Sequence, residues 1–303
     1  MESARRATAA LAPTRWRVAY VLFQCALATG LLCASVPQRG AAAARCMASH
    51  AASDRERVVS PSIEVAFEDS DYFFVVKPPG LVCTGEAGEM ESFHQLVKAF
   101  AVGAYGYQSS LLHRLDKGTS GLMCYAKRQE AAAHYLKLQD VRGAITKLYL
   151  AVVHGAPPKQ AGRVEGGICK SSDLRTFVVR SKKSGKPVLT TYKVLRQVMH
   201  PDFGPVASLS LRLFTGRKHQ IRASCRTLGC SIVGDVQYGG GAHHTMLLHA
   251  HRIAFTGAGG TEYNVSISPP ETWGGFSALV LPLGIMDSTY SVSGPRDDSI
   301  PVN

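Results

Sequence analysis

Short apolar runs cut by polar turns dominate the chain from about residue 60 onward. "IEVAFEDSDYFFVVKPPGLV" predicts two strands separated by a polar turn at Asp69–Asp71 and closed by "KPPG", where two prolines and a glycine cannot continue a ladder. In "EMESFHQLVKAFAVG", Phe93, Leu96, Val97 and Phe100 recur at helical spacing, which predicts an amphipathic helix stopping at Gly103. "SGLMCYAK" predicts a short strand, "RQEAAAHYLKLQD" (Arg128 to Asp140) a helix, and "AITKLYLAVVHG" a strand ended by glycine.

From there to about Phe214 the pattern is strand and turn throughout, and it predicts an antiparallel meander. "KHQIRASCRTLGC" returns to helical spacing at Ile221, Cys225 and Leu228, "HRIAF" and "EYNVSIS" predict closing strands, and "PPETWGGFSALV" a last short helix. The polar, aperiodic stretch 284–303 is expected to be a disordered tail. Strands outnumber helices and mostly follow one another directly. The expected architecture is therefore α+β, one domain over residues 54–283 with flanking helices on a large mixed, mainly antiparallel sheet.

Residues 1–53 interrupt that pattern. They hold six arginines, no lysine and one acid, Glu2, and Val18 to Val36 carries no charge. A basic start, an apolar run and small residues have the form of a secretory signal, and the run is also long enough for a membrane anchor. The alanine- and arginine-rich stretch behind it, Pro37 to Ser53, has transit-peptide composition. Signal followed by transit composition resembles the two-part presequences of secondary plastids. A mitochondrial presequence is the competing expectation, and secretion or a membrane anchor the alternative.

The net charge is +12, with 28 lysines and arginines against 21 acids beyond residue 53, which points to an anionic partner such as nucleic acid. Cys83, Cys124, Cys169, Cys225 and Cys230 are widely spaced, odd in number and without a CxxC, which argues for free thiols. "HHTMLLHAH" lacks a zinc-ligand spacing, so no metal is expected.

Four segments set polar residues inside apolar surroundings: "KPPGL" at Lys77, "HRLDKGTSGL" at His113, "KLYLAVVHG" at Lys147 and "TGRKHQIR" at Thr215. Asp116, flanked by Arg114 and Lys117, has the chemistry of a nucleophile or general base, while a turn aspartate bonding its own backbone is the competing reading. Arg217, Lys218, His219 and Arg222 at a strand-to-helix junction suit phosphate, or form a solvated basic face. Tyr149 should share a strand face with Lys147 and Ala151, where a plain core aromatic is the alternative.

Together these segments, with "GCSIVGD…YGG…LLHAHRIAF", resemble the RNA pseudouridine synthases of the RluA type, in that family's order and over roughly residues 62 to 256. The resemblance implies isomerisation of uridine to pseudouridine in RNA, ribosomal or transfer, without metal or organic cofactor, on a pseudouridine-synthase catalytic domain, here expected to act as a monomer. It places the catalytic aspartate on Asp116, the uracil-packing tyrosine on Tyr149 and the aspartate's arginine partner on Arg222. Arg114 would help extrude the uridine, with His113 on the same RNA-facing turn, and Lys77, Arg217 and Lys218 would contact phosphates. Lys117 is expected to be exposed. A catalytically silent RNA-binding or ribosome-assembly factor on the same fold is the alternative.

The chain departs from the family's pattern in three ways. Residues 53 to 63 are too few for the small RNA-binding domain many relatives carry before the catalytic one. Lys218 stands where threonine is common, and "TGEAGEMES" is acidic where an RNA surface is expected.

Overall fold

A computed structural model describes residues 63–85, 92–106, 108–172, 176–181, 184–280 and 290–293. The expected presequence, most of the acidic "TGEAGEMES" loop and most of the expected tail lie outside the described residues. Among the described residues no helix is long and apolar enough to cross a membrane.

The polar turn after β1 (Val65–Glu68) is fixed by the Asp69 carboxylate, which accepts the backbone N–H groups of Asp71 and Tyr72 at 2.8 Å, and the chain reverses into β2 (Tyr72–Lys77). Helix α1 (Phe93–Tyr105) starts at a capping box, with Ser92 Oγ accepting from Gln95 N–H and the Gln95 side chain accepting from Ser92 N–H. Such a cap contributes about 1 kcal/mol. The helix runs through Gly103, the predicted stop, and ends at Gly106, whose left-handed φ of 71° suits glycine.

After the two-residue β3 (Ser110–Leu111) come β4 (Ser120–Ala126), α2 (Gln129–Asp140) and β5 (Thr146–His154). Then follow β6 (Ala161–Lys170), β7 (Phe177–Arg180), β8 (Lys186–His200), β9 (Gly204–Leu213) and α3 (Gln220–Thr227). The chain closes with β10 (Leu248–Thr256), β11 (Glu262–Ser266), a 3-10 turn running into α4 (Ser277–Val280), and β12 (Tyr290–Ser293).

The strands form one mixed sheet in the order β1-β2-β4-β10-β5-β9-β8-β6-β7, with β3 on β4, and β11 and β12 continuing from β10. Among the described pairs only β4 and β10 run parallel. The expected simple meander is corrected in one respect. β7 turns back onto the outer edge of β6, so β8 pairs β6 directly, and local alternation carries no information about which neighbour a strand selects. Within the expected tail, the four described residues Tyr290–Ser293 add a strand to the open edge of β11, where unpaired backbone groups favour pairing.

The central strands read as unbroken apolar runs because both faces are covered. Phe73, Val75, Met123 and Tyr125 pack with Phe93, Val97 and Ala101 of α1. Tyr72, Phe74, Leu122 and Cys124 face Ala131 and Tyr135 of α2. β5 splits in the same way, with Tyr149, Ala151 and Val153 on the α1 face and Leu150 and Val152 toward Trp273, Phe276 and Val280. Leu115, Ile221 and Met246 join Tyr149 on the α1 face, which brings the loop before β4, α3 and the segment before β10 to one place. All five cysteines among the described residues are free, and all but Cys169 are buried.

His249, in β10, is 1% exposed, and its Nδ1 lies 2.9 Å from Ser120 Oγ across the parallel β4–β10 pair. Burial, and then the charge of His251, push its pKa down to about 3. The unfolded chain takes up a proton here near pH 6.5 and the folded chain does not, so stability present above 6.5 is lost as the pH falls toward 3. Urea midpoints of wild type should fall by an equivalent of about 2–3 kcal/mol between pH 6.5 and 4.5 from this residue alone, and His249→Leu should flatten that slope. An unchanged slope in the variant would show that His249 is not the group responsible.

Candidate active site

Residues 112–119 form an irregular connection between β3 and β4 that delivers Asp116 to the α1 face near the parallel β4–β10 pair. Leu115 anchors the loop in the core, and Thr119 N–H donates to the Asp116 backbone carbonyl at 3.1 Å. The return into β4 needs Gly121. Its φ is 117°, and a Cβ there would sit 2.4 Å from the Ala250 carbonyl oxygen of β10.

Lys77 braces the loop from below. It is fully buried, and its ammonium donates to the carbonyls of Pro78 (2.9 Å), Lys117 (3.1 Å) and Thr119 (2.9 Å). Burial draws its pKa down to about 8, opposed by the charges of Cys83 and Asp116. The sequence-based expectation of a phosphate contact for Lys77 is therefore corrected, because all three donors are spent on backbone carbonyls and none reaches the surface. Lys77→Met should cost about 2–4 kcal/mol by leaving those carbonyls unsatisfied, read as a lower denaturant midpoint. Wild-type stability in that variant would show that the ammonium does not hold the turn.

The carboxylate of Asp116, 24% exposed, faces two cationic or donor side chains from the start of α3: Arg222 Nη1 at 3.7 Å from Oδ2 and His219 Nε2 at 4.0 Å from Oδ1. Both separations exceed a hydrogen bond, so the carboxylate lone pairs stay available. Arg222 is held from behind. Its Nε and Nη2 each donate to Asp235 at 2.7 Å, Nη2 also donates to Gln237 Oε1 at 2.8 Å, and the guanidinium lies 4.6 Å from the Tyr238 ring centre. Burial acts to lower the Arg222 pKa, but the hydrogen bonds and charge of Asp235, with the charge of Asp116, outweigh it and leave it raised.

Tyr149 is buried, and burial, reinforced by the Asp116 charge, holds its phenol well above the ordinary value. It is a neutral hydroxyl at physiological pH. Tyr149 shares its face with Ala151 as expected, whereas the Lys147 ammonium lies 5.7 Å from the ring of Tyr135, in the core of the opposite face.

The structure thus brings Asp116, Tyr149 and Arg222 together. Arg114 and Lys117 are exposed on the same loop. His113 is corrected from its expected RNA-facing place: its Nε2 accepts the Cys124 backbone N–H at 3.0 Å, and burial followed by the charge of Lys147 keeps the ring neutral. Arg217 and Lys218 are exposed and, with Lys170, Lys186 and Phe177, line a cleft of about 490 Å³.

Sequence reasoning missed Asp235, Gln237 and Tyr238. The available signal was an aspartate inside the apolar "CSIVGDVQY", where burial demands a partner. In "HHTMLLHAH" the imidazole nitrogens meet the Thr245, Thr272 and Ile267 carbonyls and the Ser120 hydroxyl.

A carboxylate flanked by arginine and histidine beside a basic cleft defines a site suited to an anionic polymer with a reacting centre. The chain belongs to the RNA pseudouridylate synthase family, which it matches over residues 71–227. It is 31% identical over 212 residues to ribosomal large subunit pseudouridine synthase D of Zymomonas mobilis, covering 64% of each chain. It is 32% identical over 218 residues to the mitochondrial RNA pseudouridine synthase 4 of Arabidopsis thaliana, covering 63% of this chain and 43% of that protein. This chain thus spans less than two thirds of the length of either relative. The solved structure of human RNA pseudouridylate synthase domain containing 1 shares the fold, with a TM-score of 0.59 at 23% identity over 70% of this chain and 85% of that one.

Proposed function

We propose that this protein isomerises specific uridines in structured ribosomal or transfer RNA to pseudouridine, with Asp116 as the reacting carboxylate. The observation that carries the reading is the Asp116 carboxylate set 3.7 Å from an Arg222 that is itself locked by Asp235, within the segment that matches the family. In the reaction the bond from C1′ to N1 of the base breaks, a bond from C1′ to C5 forms, C5 gives up its proton, and N1 takes one up. Asp116 can serve either as the nucleophile at C1′ or as the base that starts elimination. Tyr149 packs on the base as a neutral phenol and relays a proton by giving up its own as it accepts another.

The uridine must leave its stack to reach a carboxylate at this depth. Arg114, exposed on the same loop as Asp116, would take the space the base vacates. Arg217 and Lys218, with Lys170 and Lys186, offer a cationic path for the RNA backbone, and binding through them should weaken with salt.

The catalytic domain is proposed to begin near residue 54 and to include β12, with residues 1–53 as an organelle presequence. The relative named as mitochondrial supports an organelle, and the composition of residues 1–53 favours a plastid. Mapping pseudouridines in total and organelle RNA with and without this gene tests the reading. Sites lost with the gene support it, and an unchanged map contradicts it. Sequencing the mature N-terminus separates a cleaved presequence from a retained anchor.

A further inference from the structure

We infer that His219 and Tyr238 form a positioning strut that aims the Asp116 carboxylate and ties it to the wall of the basic cleft. The inference rests on the uridine-isomerase reading and concerns how that carboxylate is held.

His219 is the one non-glycine residue among those described with a left-handed backbone, at φ 55° and ψ 20°. It sits at the N-cap of α3, yet its side chain does not cap the helix. A left-handed histidine is uncommon and persists where surrounding contacts demand it. The conformation turns the imidazole away from the helix end and into the space between Tyr238 and Asp116.

Tyr238 accounts for one end. The hydroxyl oxygen accepts the Phe177 backbone N–H at 2.8 Å and lies 3.1 Å from His219 Nδ1. With its oxygen already accepting from Phe177, the phenol has its own proton free to donate to Nδ1, and we assign the imidazole proton to Nε2 on that ground. The other tautomer would point an Nε2 lone pair at the carboxylate 4.0 Å away, and repulsion disfavours it.

Asp116 therefore stands between two donors on different oxygens: the Arg222 guanidinium at Oδ2 and a neutral N–H at Oδ1. Positive potential on opposite oxygens biases the orientation of the carboxylate from both sides, where a single donor would act on one side alone. Neither reaches hydrogen-bond distance, so the lone pairs remain for the substrate. The far end of the strut is Phe177, which lines the cleft with Lys170, Lys186, Arg217 and Lys218 and whose ring lies 5.4 Å from that of His219. An RNA backbone in that cleft would press on the residue whose N–H anchors Tyr238. Cleft occupancy and carboxylate aim are thereby linked through Tyr238 and His219.

The test uses the full-length protein and RNA carrying uridine tritiated at C5, since isomerisation releases that hydrogen to water. Single-turnover rate and RNA Kd are measured for wild type, His219→Gly, which accepts the left-handed backbone, His219→Asn, which accepts it and restores a side-chain donor, and Tyr238→Phe. The strut predicts that His219→Gly and Tyr238→Phe slow the step by about tenfold to a hundredfold, as small misplacements of a reacting group do, with RNA Kd little changed. His219→Asn should be faster than His219→Gly.

A wild-type rate in His219→Gly or in Tyr238→Phe overturns the strut, as does an Asn variant no faster than Gly. Should His219→Gly also melt early, Tyr238→Phe decides: slow turnover with a wild-type Tm supports the inference, and wild-type speed overturns it. If wild type itself releases no tritium, it is the uridine-isomerase reading that fails.

Discussion

Asp116→Asn should reduce pseudouridine formation by on the order of 10⁴-fold or more while leaving RNA Kd within a few-fold of wild type. The amide is nearly isosteric with the carboxylate. The turn does not depend on the acid, because Thr119 N–H donates to the backbone carbonyl of residue 116 and Lys77 holds the carbonyls of Lys117 and Thr119. Nor does the change strand Arg222, whose charge is met by Asp235 at 2.7 Å. What is lost is the carboxylate proposed to attack C1′ or to start elimination there. RNA binding draws on cations at the surface and, if anything, gains from one less negative charge. Filter binding and tritium release on the same preparation separate the two effects. Full activity in this variant would remove Asp116 from the chemistry.

Asp235→Ala is expected to damage both stability and rate. Asp235 is 2% exposed and makes two of the three hydrogen bonds that fix Arg222. Removing it leaves a guanidinium that is 9% exposed held by Gln237 and the face of Tyr238, and breaking a buried pair in this way costs about 3–5 kcal/mol. A freed Arg222 can also close the 3.7 Å gap and bond Asp116 directly, which would occupy the lone pairs the reaction needs. The rate should therefore fall by about a hundredfold even at temperatures where the variant is fully folded. A stability loss with an unchanged rate would show that Asp235 serves the fold alone.

The elements were legible where local chemistry decides them. Asp69 announces its turn, Ser92 and Gln95 announce the start of α1, and the apolar runs of β2 and β4 announce strands covered on both faces. Pairing order was not legible, since nothing in "RTFVVR" says that it lies outside β6 rather than between β6 and β8. At the site, the types of Asp116, Tyr149 and Arg222 pointed to chemistry, but only the motif order singled them out from a turn acid, a core aromatic and a basic face.

Lys77 and His113 were misplaced for a shared reason. A polar residue in an apolar run was read as facing the ligand, whereas Lys77 spends its donors on carbonyls of the turn after β2 and the loop before β4, and His113 accepts a backbone N–H of β4. Asp235 was passed over because its partner is a tertiary neighbour that composition cannot name.

This carboxylate site is proposed to isomerise uridine. The most direct measurement is tritium release by the purified wild-type protein from unmodified ribosomal and transfer RNA transcripts labelled at C5 of uridine, with the nucleosides of the product separated afterwards. Release to water should be matched one for one by pseudouridine in the digest. Tight binding of the same transcripts with neither release nor pseudouridine would contradict it.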